Sequence, residues 1–140
     1  MKKTLVIHLA LGNESVVFVP LRREFRELLR PERREVLDEI MAACAAERLQ
    51  GHVVPIWINP DNTLEFIAPV HLHDRIQAIH VNRLRANLNR SLPIVDPSPV
   101  LQRVLGDVGV LRDQTTAEPS RRWRALIEVT DPNRVRPPGR

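Results

Sequence analysis

PERREVLDEIMAACAAERLQG, residues 31 to 51, is the stretch whose structure is most nearly dictated by its own residues. Apolar residues recur in it at helical spacing and charged residues fill most of the other positions, which predicts an amphipathic helix. Pro31 suits the first turn, where its missing N–H costs nothing, and Gly51 offers a left-handed stop. The apolar face consists of Val36, Leu37, Ile40, Met41, Cys44 and Leu49. We expect this helix to have a structural role.

Upstream of this helix, two apolar and β-branched runs at residues 3–10 and 15–19 flank a short turn. This pattern predicts a β-hairpin. Both runs are apolar on both faces apart from His8, so we expect them to lie centrally in a sheet covered on one side or on both. Residues 21–30 form a first helical piece, and Pro31 then kinks or restarts the helix.

Downstream, HVVPIWI (52–58) and TLEFIA (63–68) flank the turn residues NPDN, which predicts a second hairpin. In its second strand Glu65 alternates with Leu64 and Phe66. Pro55 cannot donate a ladder hydrogen bond, so it predicts an edge position or a bulge.

Residues 71–92, HLHDRIQAIHVNRLRANLNRSL, predict a second long helix. Its apolar stripe changes side near Ile79 at about 100° per residue. Such a helix must bend, contact two different bodies, or dock its far half on another subunit or domain. Leu72, Ile76 and Ile79 share one face, whereas Val81, Leu84, Leu88 and Leu92 lie roughly opposite.

The remaining segments follow a proline-rich boundary at residues 93–99. A short helix is predicted after Ser98, with Pro99 at its first position and Val100, Leu101, Val104, Leu105, Val108 and Leu111 buried. Residues 122–129 alternate as a fifth strand, and residues 131–140 predict a disordered tail. The predicted fold is α+β with the order ββαββααβ: a mostly antiparallel sheet of four or five strands, built from two hairpins and a late strand, with two main helices and one short helix. We expect a core domain at 1–92 and a segment at 93–130 that packs on it.

Composition bounds the class of protein. Residues 1–120 hold 15 basic and 15 acidic residues, so the net charge of +4 comes entirely from residues 121–140. The single cysteine, Cys44, excludes an intramolecular disulfide and favours a reducing compartment. The N-terminal apolar run faintly imitates a secretory signal, but it is short and interrupted by His8, so we interpret it as a strand. We therefore expect a cytoplasmic protein with no membrane contact.

Few residue patterns predict chemistry. His71 and His73 are two residues apart. His80 follows His73 by seven residues, which is about 10 Å along a helix, so His73 and His80 cannot both bind one metal ion directly. The sequence contains no glycine-rich phosphate loop and no GxSxG motif. We expect no cofactor and no metal, and the nearly empty catalytic inventory favours a non-catalytic protein.

Three functions remain open, in this order. The first is a small interaction or assembly protein that docks on itself or on a protein partner through residues 71–92 and the C-terminal segment; its binding residues would be Val81, Leu84, Leu88 and Leu92. The second is a sequence-nonspecific nucleic-acid binder, because residues 75–95 lack acidic side chains. Its contacts would be Arg83, Arg85, Asn87, Arg90, Arg121, Arg122 and Arg124. The third is a metal-dependent enzyme that uses His71, His73 and His80.

Overall fold

A computed structural model of the chain describes residues 2–61, 63–88, 90–105 and 123–126. The six strands within these residues form one sheet in the order β5-β1-β2-β3-β4-β6. The strands are β1 (Lys2–Leu11), β2 (Glu14–Pro20), β3 (His52–Ile58), β4 (Leu64–Phe66), β5 (Arg90–Ile94) and β6 (Trp123–Ala125). The α-helices are α1 (Arg30–Ala46), α2 (His73–Gln77), α3 (Val81–Ala86) and α4 (Pro99–Val104), with 3-10 helices at Arg23–Glu27 and Val70–Leu72. The class is mixed α and β, as the sequence predicts.

The sheet carries a hydrophobic core on each face, because its central strands are apolar on both sides. Ile7, Phe18 and Ile56 point into one core, which α2, α3 and their flanking turns cover with residues such as Ile76 and Leu84. The opposite core contains Val6, Val17, Val19 and Trp57, covered by the 3-10 helix at 23–27, α1 and α4. The expectation of a covered central hairpin is thereby confirmed on both faces.

The helix expected at residues 31–51 is present as α1, although it is shorter than predicted. Glu32 accepts a hydrogen bond from the backbone N–H of Leu29 (3.1 Å), which satisfies one free donor at the helix start. The helix ends at Ala46, and the left-handed residue after it is Arg48 (φ 58°), not Gly51. Met41 is 48% exposed, so it does not belong to the buried face as predicted.

The prediction of a single long helix over residues 71–92 is wrong. The segment is divided into a 3-10 helix, α2, α3 and the strand β5. The break after α2 resets the helical phase, so Leu72 and Leu88 reach the same core although a continuous helix would turn them about 160° apart. The change of apolar side therefore marks the place where the helix is interrupted.

The sheet differs from the prediction in strand count and in pairing. Both hairpins are present, β1 with β2 and β3 with β4. However, β2 pairs in parallel with β3 and β4 in parallel with β6, while β5 adds an antiparallel strand beside β1. The crossover from β2 to β3 contains α1, the connection that a parallel pair requires. The predicted domain boundary after residue 92 falls within β5, and the division itself stays a prediction.

Pro55 lies in the central strand β3, which corrects the expected edge or bulge position. It stands opposite Val19 of β2, and its carbonyl accepts from the N–H of Ile67 (3.4 Å) just beyond the end of β4. Within a strand, the N–H and the carbonyl of one residue point toward the same neighbouring strand. The missing N–H of Pro55 therefore faces β4, at the place where the pairing with β4 ends. The sheet therefore loses little by accepting proline there.

The later segments are confirmed where the structure describes them. Ser98 caps α4 by accepting from the N–H of Leu101 (3.2 Å), and it contacts the carboxylate of Glu39 on α1. The predicted fifth strand is represented by Trp123–Ala125. The remaining predictions for this region lie outside the described residues, namely Val108, Leu111, Arg122, residues 127–129 and the tail at 131–140. No helix among the described residues has the length and apolar content needed to span a membrane.

Candidate functional site

A cleft of about 1200 Å³ runs along one side of α1. We call it the α1 cleft. One wall is formed by Arg34, Leu37, Asp38, Met41, Cys44 and Ala45 of α1, followed by Arg48 and Leu49. The other wall comprises residues 50–53, Pro55, residues 67–71, His73 and Leu126. Most of these side chains are apolar, so the cleft offers an occupant a hydrophobic surface with polar groups at its ends.

In the part of the chain that the structure describes, the helical layer ends before the sheet does, and this leaves the cleft. The 3-10 helix at 23–27, α1 and α4 cover one part of this sheet face. Val53, Ile67 and Leu126 pack against the edge of that core and remain only partly buried. Met41 and Val70 are 48% and 62% exposed, two of the four large apolar side chains that the described residues expose. Exposed apolar side chains gathered in one concave surface are typical of binding sites.

A cluster of Glu14, His52 and His71 lies at one end of this cleft; His52 and His71 line it. The Nε2 atom of His52 donates to Oε1 of Glu14 (2.9 Å), and the Nε2 atom of His71 donates to Oε2 of the same carboxylate (2.8 Å). The two imidazole rings stand edge to face with their centres 5.7 Å apart. We call this group the His–Glu cluster.

Three separate elements position the His–Glu cluster. Glu14 opens β2 directly after the β1–β2 turn, and the parallel pairing of β2 with β3 sets His52 beside Val16. His71 arrives from the 3-10 helix at 70–72. Gly51 precedes His52 with φ 125°, and a Cβ there would lie 2.3 Å from the carbonyl oxygen of Ser15. Glycine therefore permits the close approach that brings the start of β3 against β2.

The charge on Glu14 is favoured by its neighbours. The hydrogen bond from His52 is the largest cause that lowers the pKa of Glu14, burial opposes it, and the bond from His71 lowers the pKa further. The Nη1 atom of Arg75 lies 4.0 Å from Oε2 of Glu14 and donates to the carbonyl of Leu11 (3.1 Å). The carboxylate is therefore the ionised centre of this end of the cleft.

The other histidines named by the sequence do not join the cluster. The Nε2 atom of His73 bonds the carbonyl of Ala68 (2.9 Å), and its ring packs edge to face on Phe66, so it fixes the local fold. His80 is exposed beyond the end of α2. The set His71, His73 and His80 is thus not brought to one point, and only His71 belongs to the His–Glu cluster.

The apolar residues predicted to dock a partner lie largely inside the protein. Leu84 and Leu88 are buried in the core under α2 and α3, and Leu92 of β5 is buried in the core on the opposite face. The Val81 side chain lies outside what the structure describes. The three leucines serve the fold, and a docking surface must be sought elsewhere.

The predicted nucleic-acid contacts do not form one helical stripe. Arg83 and Asn87 lie on and just after α3, where Asn87 donates to the carbonyl of Arg83 (2.8 Å), and Arg90 begins β5. Arg124 of β6 bonds Oδ2 of Asp61 (2.6 Å), so its charge is partly satisfied within the chain. The Arg85 side chain, Arg121 and Arg122 lie outside what the structure describes.

Sequence reasoning missed Glu14 and His52. Each lies at the start of a strand, and the two meet only because β2 and β3 run parallel. A parallel crossover through α1 would have predicted their meeting, since the same ends of parallel strands lie at one edge of a sheet. The antiparallel arrangement that we expected places them apart.

Comparisons with protein-family models, with curated proteins and with solved structures found no match to this chain.

Proposed function

We propose that this chain is a non-catalytic interaction protein that binds an amphipathic helix of a protein partner in the α1 cleft. This keeps the class of function that the sequence favours and moves the contact surface from residues 71–92 to α1. The observation that carries the proposal is the apolar wall of α1 that the helical layer leaves uncovered.

The spacing of the exposed residues on α1 supports a helical occupant. Arg34, Asp38, Met41 and Ala45 follow one another at intervals of four, three and four residues, the spacing at which one helix contacts another along a seam. From Arg34 to Ala45 the seam is about 17 Å long at 1.5 Å per residue, enough for about three turns of a partner helix. The small side chain of Ala45 permits close approach of the two backbones.

The size of the cleft favours a polypeptide over a small molecule. Its volume of about 1200 Å³ exceeds the range of roughly 300–1000 Å³ that is usual for small-molecule pockets. Grooves that take an amphipathic helix provide an apolar floor for its anchor residues and charged groups at the rim. Arg34 pairs with Asp38 (3.3 Å) at one rim, and Arg48 lies at the other end of α1, where an acidic side chain of the partner would complement it.

The partner can be identified by cross-linking from the cleft. A photo-cross-linking residue in place of Met41 is expected to capture one defined protein in the native cells, whereas the same residue in place of Val95 is not. Val95 is a suitable control position because it is 69% exposed and does not line the cleft. An adduct between two copies of this chain would identify the occupant of the cleft as a second copy of the chain.

Affinity for the captured helix then tests the site with a matched pair of variants. Val70→Asp places a charge in the cleft, and Val95→Asp places the same charge on a similarly exposed valine outside it. Losing the burial of one valine removes about 1.5 kcal/mol or more, so Val70→Asp should weaken binding of the labelled helical peptide by about tenfold or more. Val95→Asp should bind like the wild type in fluorescence anisotropy. Equal affinity of both variants would refute the cleft as the binding site.

A further inference from the structure

We propose that Glu14, His52 and His71 bind one divalent transition-metal ion, with zinc as the representative case. The three side chains come from different elements, and their ligand atoms all lie within 4.8 Å of one another. His52 and His71 line the α1 cleft but Glu14 does not, so Glu14→Gln tests this site without altering the helix-binding surface.

The distances within the His–Glu cluster match those between neighbouring ligands of a metal. Zinc binds histidine nitrogen at about 2.0–2.1 Å and carboxylate oxygen at about 2.0–2.2 Å. Two such ligands at right angles are therefore separated by about 2.9 Å, and at a tetrahedral angle by about 3.4 Å. The separations of Nε2 from the Glu14 oxygens are 2.9 Å for His52 and 2.8 and 3.1 Å for His71. Each Nε2 atom therefore already lies at a separation from a Glu14 oxygen that two ligands of one ion can have.

The donor set selects the class of ion. Two imidazole nitrogens and one carboxylate suit zinc and neighbouring transition metals, whereas calcium and magnesium prefer oxygen ligands alone. A bound metal would take the Nε2 lone pair of each neutral ring, which then carries its single proton on Nδ1. The Glu14 carboxylate supplies the one formal negative charge.

Exposure of the cluster leaves room for further ligands. All three side chains are partly exposed, by 33% for Glu14, 38% for His52 and 54% for His71. Three protein ligands with an open side are typical of sites that exchange water or an outside ligand, whereas structural zinc sites are closed by four protein ligands. Since both histidines line the α1 cleft, the open side is accessible to a carboxylate or imidazole of an occupant.

The main charge that opposes the ion is Arg75. Its guanidinium lies 4.0 Å from Glu14, at the outer limit of an ion pair, and is held by its bond to the carbonyl of Leu11. Half of this side chain is exposed, so water screens its repulsion of a cation. Glu14 therefore remains accessible as a ligand.

The test is a titration of the untagged 140-residue chain with Zn²⁺, read by calorimetry, and with Co²⁺, read by its visible absorption. The wild type should bind one ion per chain. The visible absorption bands of bound Co²⁺ depend on the number of nitrogen ligands, so they report whether histidine nitrogens bind the ion. Glu14→Gln and His71→Ala should each weaken binding by about 100-fold or more, because the loss of a direct ligand exceeds the 10–100-fold typical of outer contacts. His80→Ala, which removes an exposed histidine outside the cluster, should bind like the wild type.

Two results would overturn the site. One is the absence of saturable binding of Zn²⁺ and Co²⁺ to the wild type. The other is binding that Glu14→Gln, His71→Ala and His80→Ala retain equally, which would assign the ions to scattered surface histidines. Glu14→Gln keeps the size of the side chain and His71 is the most exposed of the three, so both variants are expected to fold, as circular dichroism checks.

Discussion

Leu84→Ala separates a core role for α3 from a role in docking. Leu84 is fully buried among residues of the core under α2 and α3. Its truncation removes the transfer free energy of the deleted carbons and leaves a cavity, which together cost about 2–5 kcal/mol. At the entropy of unfolding usual for a chain of this length, a central value of about 3 kcal/mol lowers Tm by about 10 °C.

The assay is thermal and urea unfolding followed by circular dichroism, with mass measured by light scattering. Leu29→Ala is the control because it makes the same chemical change at a leucine that is 71% exposed, and it should cost less than about 0.5 kcal/mol. The reasoning is refuted if Leu84→Ala keeps the stability of the wild type and alters only its mass or its partner binding. That result would make Leu84 a contact residue.

Two further predictions concern buried polar groups. Glu65 is 1% exposed and accepts from Nε1 of Trp57 (2.9 Å) and Nδ2 of Asn59 (3.2 Å). Glu65→Ala leaves both donors without that acceptor and should lower the free energy of unfolding in urea by about 3 kcal/mol. Glu65→Gln retains an acceptor oxygen and should lower it less. Equal stability of the wild type and both variants would contradict this prediction. Burial raises the pKa of Cys44 to about 11, so at pH 8 about one thiol in a thousand is ionised. Its reaction with a disulfide reagent should be at least about 100-fold slower than in the unfolded chain and should accelerate as pH rises toward 11; equal rates in both states would contradict the burial.

Local patterns predicted the elements whose signals are contained in a few residues. The hairpins follow from apolar runs around turn residues, α4 begins where Ser98 and Pro99 place it, and α1 follows from its periodicity. Both faces of the central strands are covered because Val17 and Phe18 are apolar on opposite sides. These features depend on steric and hydrogen-bonding rules that act over a few residues.

The features that depend on distant contacts were not predicted. Glu65 alternates as a surface residue would, yet Trp57 of β3 and Asn59 just beyond it donate to its carboxylate inside the protein, and Arg26 lies 3.4 Å from it. The segment 71–92 has helical composition, but its last residues complete the sheet beside β1. In both cases tertiary packing overrides the local preference.

The candidate site was hidden for the same reason. Glu14 and His52 are 38 residues apart and meet through the parallel pairing of β2 and β3. Met41 was predicted on the apolar face because it follows Leu37 by four residues and precedes Cys44 by three, yet it is 48% exposed. Periodicity locates the apolar side of a helix but cannot tell how much of that side the sheet covers.

The most direct measurement of the central proposal is NMR of the chain labelled with ¹³C at the methionine methyl groups. The chain has two methionines, Met1 and Met41, so the spectrum contains two methyl signals and one of them lies in the α1 cleft. Titration with the captured partner helix is predicted to shift or broaden the Met41 signal in proportion to binding, while the Met1 signal stays in place. A Met41 signal that does not change when binding is complete would contradict the assignment of the cleft as the docking surface.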